Sequence, residues 1–86
     1  MANYSVELKP SASEELDRLP RKPLQRIVSR LESLASVPRP SGCKKLRGGE
    51  NHWRIRVGDY RIVYTIDDRK RLIEVTRIRH RRDVYE

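Results

Sequence analysis

Trp53-Arg54-Ile55-Arg56-Val57 and Tyr60-Arg61-Ile62-Val63-Tyr64-Thr65-Ile66 are two alternating runs separated only by Gly58-Asp59. Alternation is the period of an extended chain with one buried face, and a Gly-Asp pair between two such runs suits a two-residue primed turn. The turn fixes a register in which Val57 opposes Tyr60, Arg56 opposes Arg61, Ile55 opposes Ile62, Arg54 opposes Val63 and Trp53 opposes Tyr64. One face of this hairpin carries Trp53, Ile55, Val57, Tyr60, Ile62 and Tyr64, and something must cover it. The other carries Arg54, Arg56 and Arg61, with Arg56 and Arg61 as direct cross-strand neighbours. Like charges so placed destabilise a sheet, so folding stability alone does not account for them.

The N-terminal half supplies the cover. Tyr4 to Lys9 alternates and is stopped by Pro10, which predicts a first strand with Tyr4, Val6 and Leu8 inward. Ser11-Ala12-Ser13-Glu14 fits a capping box, and Leu16 and Leu19 continue an apolar stripe to Pro20. Pro23 suits a first helical turn. Leu24, Ile27, Val28, Leu31, Leu34 and Ala35 then recur at helical spacing until Pro38 and Pro40 forbid continuation. Pro38 to Gly42 reads as a linker, Gly48 to Asn51 as a loop and Asp67 to Arg71 as a turn. Leu72 to Ile78 is a last strand, whose inward face depends on the length of the turn before it. The expected fold is α+β: an N-terminal strand, an αα-hairpin, then a three-stranded antiparallel meander, forming one curved sheet with the helices on one face.

Eighty-six residues support one small core and one domain. No segment approaches the roughly 20 apolar residues that span a bilayer, and residues 1–10 lack a signal-peptide core, which points to the cytoplasm. One cysteine, Cys43, and two histidines, His52 and His80, offer neither an internal disulfide nor zinc spacing. Phosphate-loop and GxSxG signatures are absent. Twenty Lys and Arg against twelve Asp and Glu give +8. Residues 1–42 hold seven basic and five acidic groups (+2), whereas residues 43–86 hold thirteen and seven (+6). Fifteen of the cations are arginine, whose planar fork matches phosphate.

A sheet face bearing Arg54, Arg56 and Arg61, beside a strand that ends in Arg79-His80-Arg81-Arg82 and a terminal Tyr85, has the chemistry of a nucleic-acid site. Lys44, Lys45 and Arg82 are further candidate phosphate contacts. The plain alternative is a solvated basic face. RNA cleavage without a metal needs a base for the 2′-hydroxyl, cations for the scissile phosphate and an acid for the departing 5′-oxygen. Arginine serves as the cation but holds its proton. His80 and Tyr85 are the candidates for proton transfer near the cationic side, with a surface histidine and a packed or base-stacking tyrosine as the alternatives. His52 reads as an ordinary loop residue.

The element order, together with the "RIRVGDYRIVY" segment (Arg54 to Tyr64) and the "HRRDVY" segment (His80 to Tyr85), resembles the RelE/ParE superfamily of bacterial and archaeal toxins, and within it the RelE branch. The resemblance covers nearly the whole chain. It implies a single domain over residues 1–86 and a toxin of a type II toxin–antitoxin system. Such a toxin enters the ribosomal A site, cuts the translated mRNA by metal-independent 2′-hydroxyl attack, uses no cofactor and is silenced by a RelB-like antitoxin encoded beside it. Carried over by position, the phosphate-binding and catalytic cations fall on Arg54, Arg56, Arg61 and Arg81, and the catalytic tyrosine on Tyr85. Some RelE toxins have lysines at the positions of Arg54 and Arg56, one of them assigned proton transfer. Arginine there moves the base to His80 or Tyr85. A helix after that tyrosine, found in some members, is not expected.

The partners implied are an acidic antitoxin segment that folds on contact, ribosomal RNA and mRNA. Arg18, Lys22, Arg26 and Arg30 on the helices are either steering charges or an ordinary solvated face. Two other readings share the fold: a ParE-like inhibitor of DNA gyrase that cuts nothing, and a non-catalytic RNA-binding module.

Overall fold

A computed structural model of the chain describes residues 3–47 and 51–83. Its elements are strand β1 (Ser5–Leu8), helices α1 (Pro10–Asp17) and α2 (Arg21–Leu34), strands β2 (Lys44–Lys45), β3 (His52–Val57), β4 (Tyr60–Asp67) and β5 (Leu72–His80), and a 3-10 turn over Arg81–Asp83. The strands form one sheet in the order β1-β5-β4-β3-β2. β1 runs parallel to β5, and the other neighbours are antiparallel. The two-residue β2 was not foreseen. Lys44 and Lys45 are too short a run to carry a period, and they are ordered by pairing with Arg54 and Trp53.

Both helices begin at extended residues, Lys9 (ψ 156°) and Pro20 (ψ 158°). Pro10 takes the first helical position, where its missing N–H has no intrahelical partner to lose. The expected capping box does not form, because the helix starts before Ser11. No side chain caps α1, and Ser11 Oγ donates instead to the Thr76 carbonyl at 2.9 Å. α2 carries Ile27, Leu31 and Leu34 on its buried face, at the spacing that stacks side chains on one side of a helix. Val28, just off that face, is 37% exposed.

The core lies between the helices and one face of the sheet. Ala12, Ile27, Leu31 and Leu34 meet Ile55, Val57, Ile62, Tyr64, Ile66, Ile73, Val75 and Ile78 there. Each fully buried Ile or Leu contributes about 1.5–3 kcal/mol by leaving water. Truncating Ile62 in the sheet centre would cost about 2–5 kcal/mol, the lost transfer energy plus the cavity left behind. Leu8 falls on the inward face, paired with buried Val75. β1 is an edge strand, and Leu8 lines an open apolar groove with Leu16, Val28 and Leu31, so it is 36% exposed.

β1 covers the edge of β5 only from Leu72 to Val75. Beyond that point α1 takes over. The Lys9 amide donates to the Val75 carbonyl at 2.9 Å, Ser11 follows at Thr76, and the Ile78 amide donates to Glu15 Oε1 at 2.8 Å. Ser11 and Glu15 are four residues apart and share a helix face. An open sheet edge is thereby satisfied by side chains instead of a strand.

The pairing of β4 with β5 contains a bulge at Val63/Tyr64, where Thr76 Oγ1 donates to the Val63 carbonyl at 3.2 Å. It decides which residues of β5 face inward. Before it, Ile73 and Val75 pair with Ile66 and Tyr64; after it, Ile78 pairs with Ile62, and Arg77 and Arg79 pair with Val63 and Arg61. Unbroken alternation would have put Arg77 and Arg79 into the core and Ile78 outside.

Candidate nucleic-acid interface

The β3–β4 hairpin forms with the expected register at every pair from Trp53↔Tyr64 to Val57↔Tyr60. Gly58 has φ +59°, and no positive φ occurs at Asp59. A positive φ at the first turn position alone is the type II′ pattern, which glycine fills without strain and which matches the twist of paired strands.

This turn anchors the chain after β5. The Arg81 amide donates to the Asp59 carbonyl at 2.7 Å, and Arg81 Nε lies 3.7 Å from Asp59 Oδ1. The ion pair is exposed on both sides and adds little; the backbone bond sets the position. Arg81 and the hairpin end then line one concavity of about 180 Å³ with Arg56, Gly58, Asp59, Tyr60 and Arg61. Arg56, Arg61 and Arg79 stand in register across three strands, a row that the bulge in β5 completes. Arg56 is exposed and Arg61 half-buried. Among the described residues, the acidic neighbours of this row are Glu15, 4.0 Å from Arg79, and Asp59.

Arg56, Arg61 and Arg81 therefore come together as the sequence suggested, and other candidates do not. Arg54 stands one row further along the same face, beside Lys44 and Val63, but is only 6% exposed, against the expectation of an open arginine. The unforeseen β2 on one side and β4 on the other flank it in the sheet. Lys45 pairs with Trp53 on the opposite face, its Nζ 6.0 Å from the Trp53 ring. It does not join the arginines.

His80 was expected on the cationic side. It pairs with Tyr60, not with Arg61, and the two rings meet edge to face at 5.1 Å. The Arg82 amide and Arg82 Nε both donate to His80 Nδ1, at 3.2 and 3.3 Å. With Nδ1 accepting, the ring proton sits on Nε2, so His80 offers a donor and no free acceptor nitrogen. Arg82 is turned toward this ring. Tyr85 lies outside the described residues.

Two residues of the site were not singled out in the sequence. Arg79 joins the row only through the bulge, which no periodicity reveals. Tyr60 was assigned to the apolar face, yet the first residue after a tight turn sits at the rim of the sheet, and its ring walls the concavity.

Other ionisable groups lie away from the hairpin end. At the β4–β5 turn, Arg39 donates through both terminal nitrogens to Asp68 (3.0 and 3.3 Å), and Tyr4 donates to Asp68 at 2.6 Å. The Arg39 and Tyr4 hydrogen bonds lower the Asp68 pKa, and the same carboxylate raises that of Tyr4. Arg39 also lies 5.0 Å over the Trp53 ring, so the linker after α2 is clamped to the sheet. Tyr64, buried beneath that linker, donates to the Pro38 carbonyl at 2.8 Å, and desolvation pushes its pKa up to about 12. Among the described residues no group of three or more His, Cys, Asp or Glu is placed to hold a metal ion, and no helix is long and apolar enough to cross a membrane.

Residues 6–85 match the family model described as ParE toxin of type II toxin-antitoxin system, parDE. Among curated relatives, Toxin RelG of Mycobacterium tuberculosis is 30% identical, with 95% of each chain covered. Putative toxin RelE1 of Methanocaldococcus jannaschii is 27% identical, with 96% of each covered. Among solved structures, the archaeal RelE-RelB complex from Pyrococcus horikoshii superposes with a TM-score of 0.82 at 25% identity, covering 92% of this chain and 96% of that one. The toxin–antitoxin complex RelBE2 from M. tuberculosis gives 0.81 at 30% identity, covering 93% of each.

Proposed function

The chain belongs to the RelE branch of the RelE/ParE superfamily and is a type II toxin–antitoxin toxin; from that premise we propose that residues 1–86 act as one endoribonuclease domain. In this reading the toxin cuts mRNA in the ribosomal A site, without a metal, and stops translation. The observation that carries it is the convergence of Arg56, Arg61 and Arg81 on one concavity at the hairpin end, with Arg79 in register beside Arg61. A gyrase blocker has no need of such a phosphate-gripping cluster.

The reaction is attack of a ribose 2′-hydroxyl oxygen on the adjacent phosphorus. The hydroxyl proton passes to a base, the phosphorus–5′-oxygen bond breaks, and the departing oxygen takes a proton. Arg61 and Arg81 hold the phosphate and the charge that develops on its oxygens. Arg56 and Arg82 bind neighbouring backbone, and Arg54 and Lys44 add positive potential from the adjoining row. Tyr85 is our candidate for proton transfer. His80 serves as a donor through Nε2, because its other nitrogen is already an acceptor.

The partner is an acidic, RelB-like antitoxin that covers this concavity. The +8 charge and the antitoxin-bound complexes of the similar toxins support it. Toeprinting of a defined message on programmed ribosomes tests the function. New 3′ ends within the A-site codon are expected. Intact message together with blocked gyrase supercoiling would instead favour the ParE-like activity.

A further inference from the structure

A second concavity, of about 250 Å³, lies on the other side of Tyr60, between α1 and the end of β5. Apolar Leu19 and Ile78, aromatic Tyr60 and His80, and the cations Arg18 and Arg79 line it. Glu15 also lines it, but both of its carboxylate oxygens are engaged, Oε1 by the Ile78 amide and Oε2 by Arg77 at 3.0 Å. With Arg18 and Arg79 against this one carboxylate, the net charge of the lining is positive. Tyr60 is the common wall, lining this concavity and the one at the hairpin end.

A recess lined by apolar, aromatic and guanidinium side chains suits one nucleotide of a single strand, because every base offers a π-face and every phosphate an anion. We propose that this concavity is a second nucleotide subsite, which takes the base adjacent to the scissile phosphate against Tyr60 and His80 and the next phosphate at Arg18. The inference rests on the phosphate-binding reading of the hairpin end. It extends the RNA path from the sheet face, around the sheet's end, onto helix α1. It also gives Arg18 work that the chemistry at the first concavity does not.

The experiment titrates the full chain with a 2′-O-methyl trinucleotide, which cannot be cut, and separately with inorganic phosphate, following backbone and arginine side-chain NMR resonances. Phosphate should shift Gly58, Arg61 and Arg81 alone. The trinucleotide should shift those and also Arg18, Leu19 and His80. Arg18→Ala should flatten the dependence of trinucleotide affinity on log salt by about 0.7, the loss of one single-strand phosphate contact, while leaving phosphate binding at the hairpin end intact. Trinucleotide shifts confined to the hairpin end, or an Arg18→Ala variant with unchanged salt dependence, would overturn the subsite and leave the nuclease reading standing. Perturbation of neither concavity would remove both.

Discussion

The Arg81 amide and the Asp59 carbonyl are joined at 2.7 Å, so the chain leaving the last strand is pinned to a turn some twenty residues earlier. A cation near the C-terminus is thereby held opposite cations of the hairpin. The concavity depends on three local events: a type II′ turn, a bulge in the neighbouring pairing, and this one hydrogen bond.

Removing a charge from that concavity should be costly to catalysis and cheap to folding. Arg61→Ala and Arg81→Ala should each lower single-turnover cleavage on programmed ribosomes by about 10²-fold or more, as expected for loss of one transition-state stabiliser. Urea midpoints should stay near the parent value. A variant that cuts at the wild-type rate would remove its residue from the mechanism.

Gly58→Ala tests the turn. A Cβ there would lie 3.6 Å from Arg26 Nη1, an ordinary contact, so the cost is conformational, about 1–2 kcal/mol for an L-residue at φ +59°. Urea unfolding should show that loss, and the amide of Arg81 should exchange faster with solvent as the turn reshapes.

Glu15 separates a hydrogen bond from a charge. Glu15→Ala leaves the Ile78 amide without its acceptor and should cost about 1–3 kcal/mol. Glu15→Gln keeps an acceptor and loses only the half-exposed pairs with Arg77 and, at 4.0 Å, Arg79, each worth about 0–1 kcal/mol. Equal losses in the two variants would mean that the charge, not the sheet edge, is what matters.

Alkaline stability follows from Tyr64. Its folded pKa, about 12, exceeds the ordinary value of 10.0, so the neutral phenol is favoured in the folded state. The contribution is complete below pH 10 and is lost as pH rises from 10 to about 12. A gap of two units corresponds to about 3 kcal/mol. Denaturant midpoints measured across that window should fall in the parent and much less in Tyr64→Phe.

The hairpin was legible because its register needs only an alternating pattern and a Gly-Asp turn, both local. Ile27, Leu31 and Leu34 were legible for the same reason at helical spacing. What escaped was non-local. Ser11 looked like a cap but serves a strand sixty-five residues away. Arg54 looked open, and only 6% of it is exposed. Lys45 faces Trp53 because of a pairing too short to leave a pattern. His80 faces the helix side beside Tyr60 and Arg79 joins the arginine row because a bulge lies between them and the start of their strand.

That extra residue at Thr76 has a consequence for how such chains diverge. The two halves of β5 are in opposite phase, so the cationic row is a property of residue count as much as of residue identity. Deleting Thr76 would set Val75 next to Arg77, keep Tyr64↔Val75 and Val63↔Arg77 as neighbouring pairs, and leave Arg79 opposite Arg61 with the bulge gone. A descendant can thus shed the bulge and keep the row, whereas one that pairs regularly with Thr76 retained sends Arg79 to the other face.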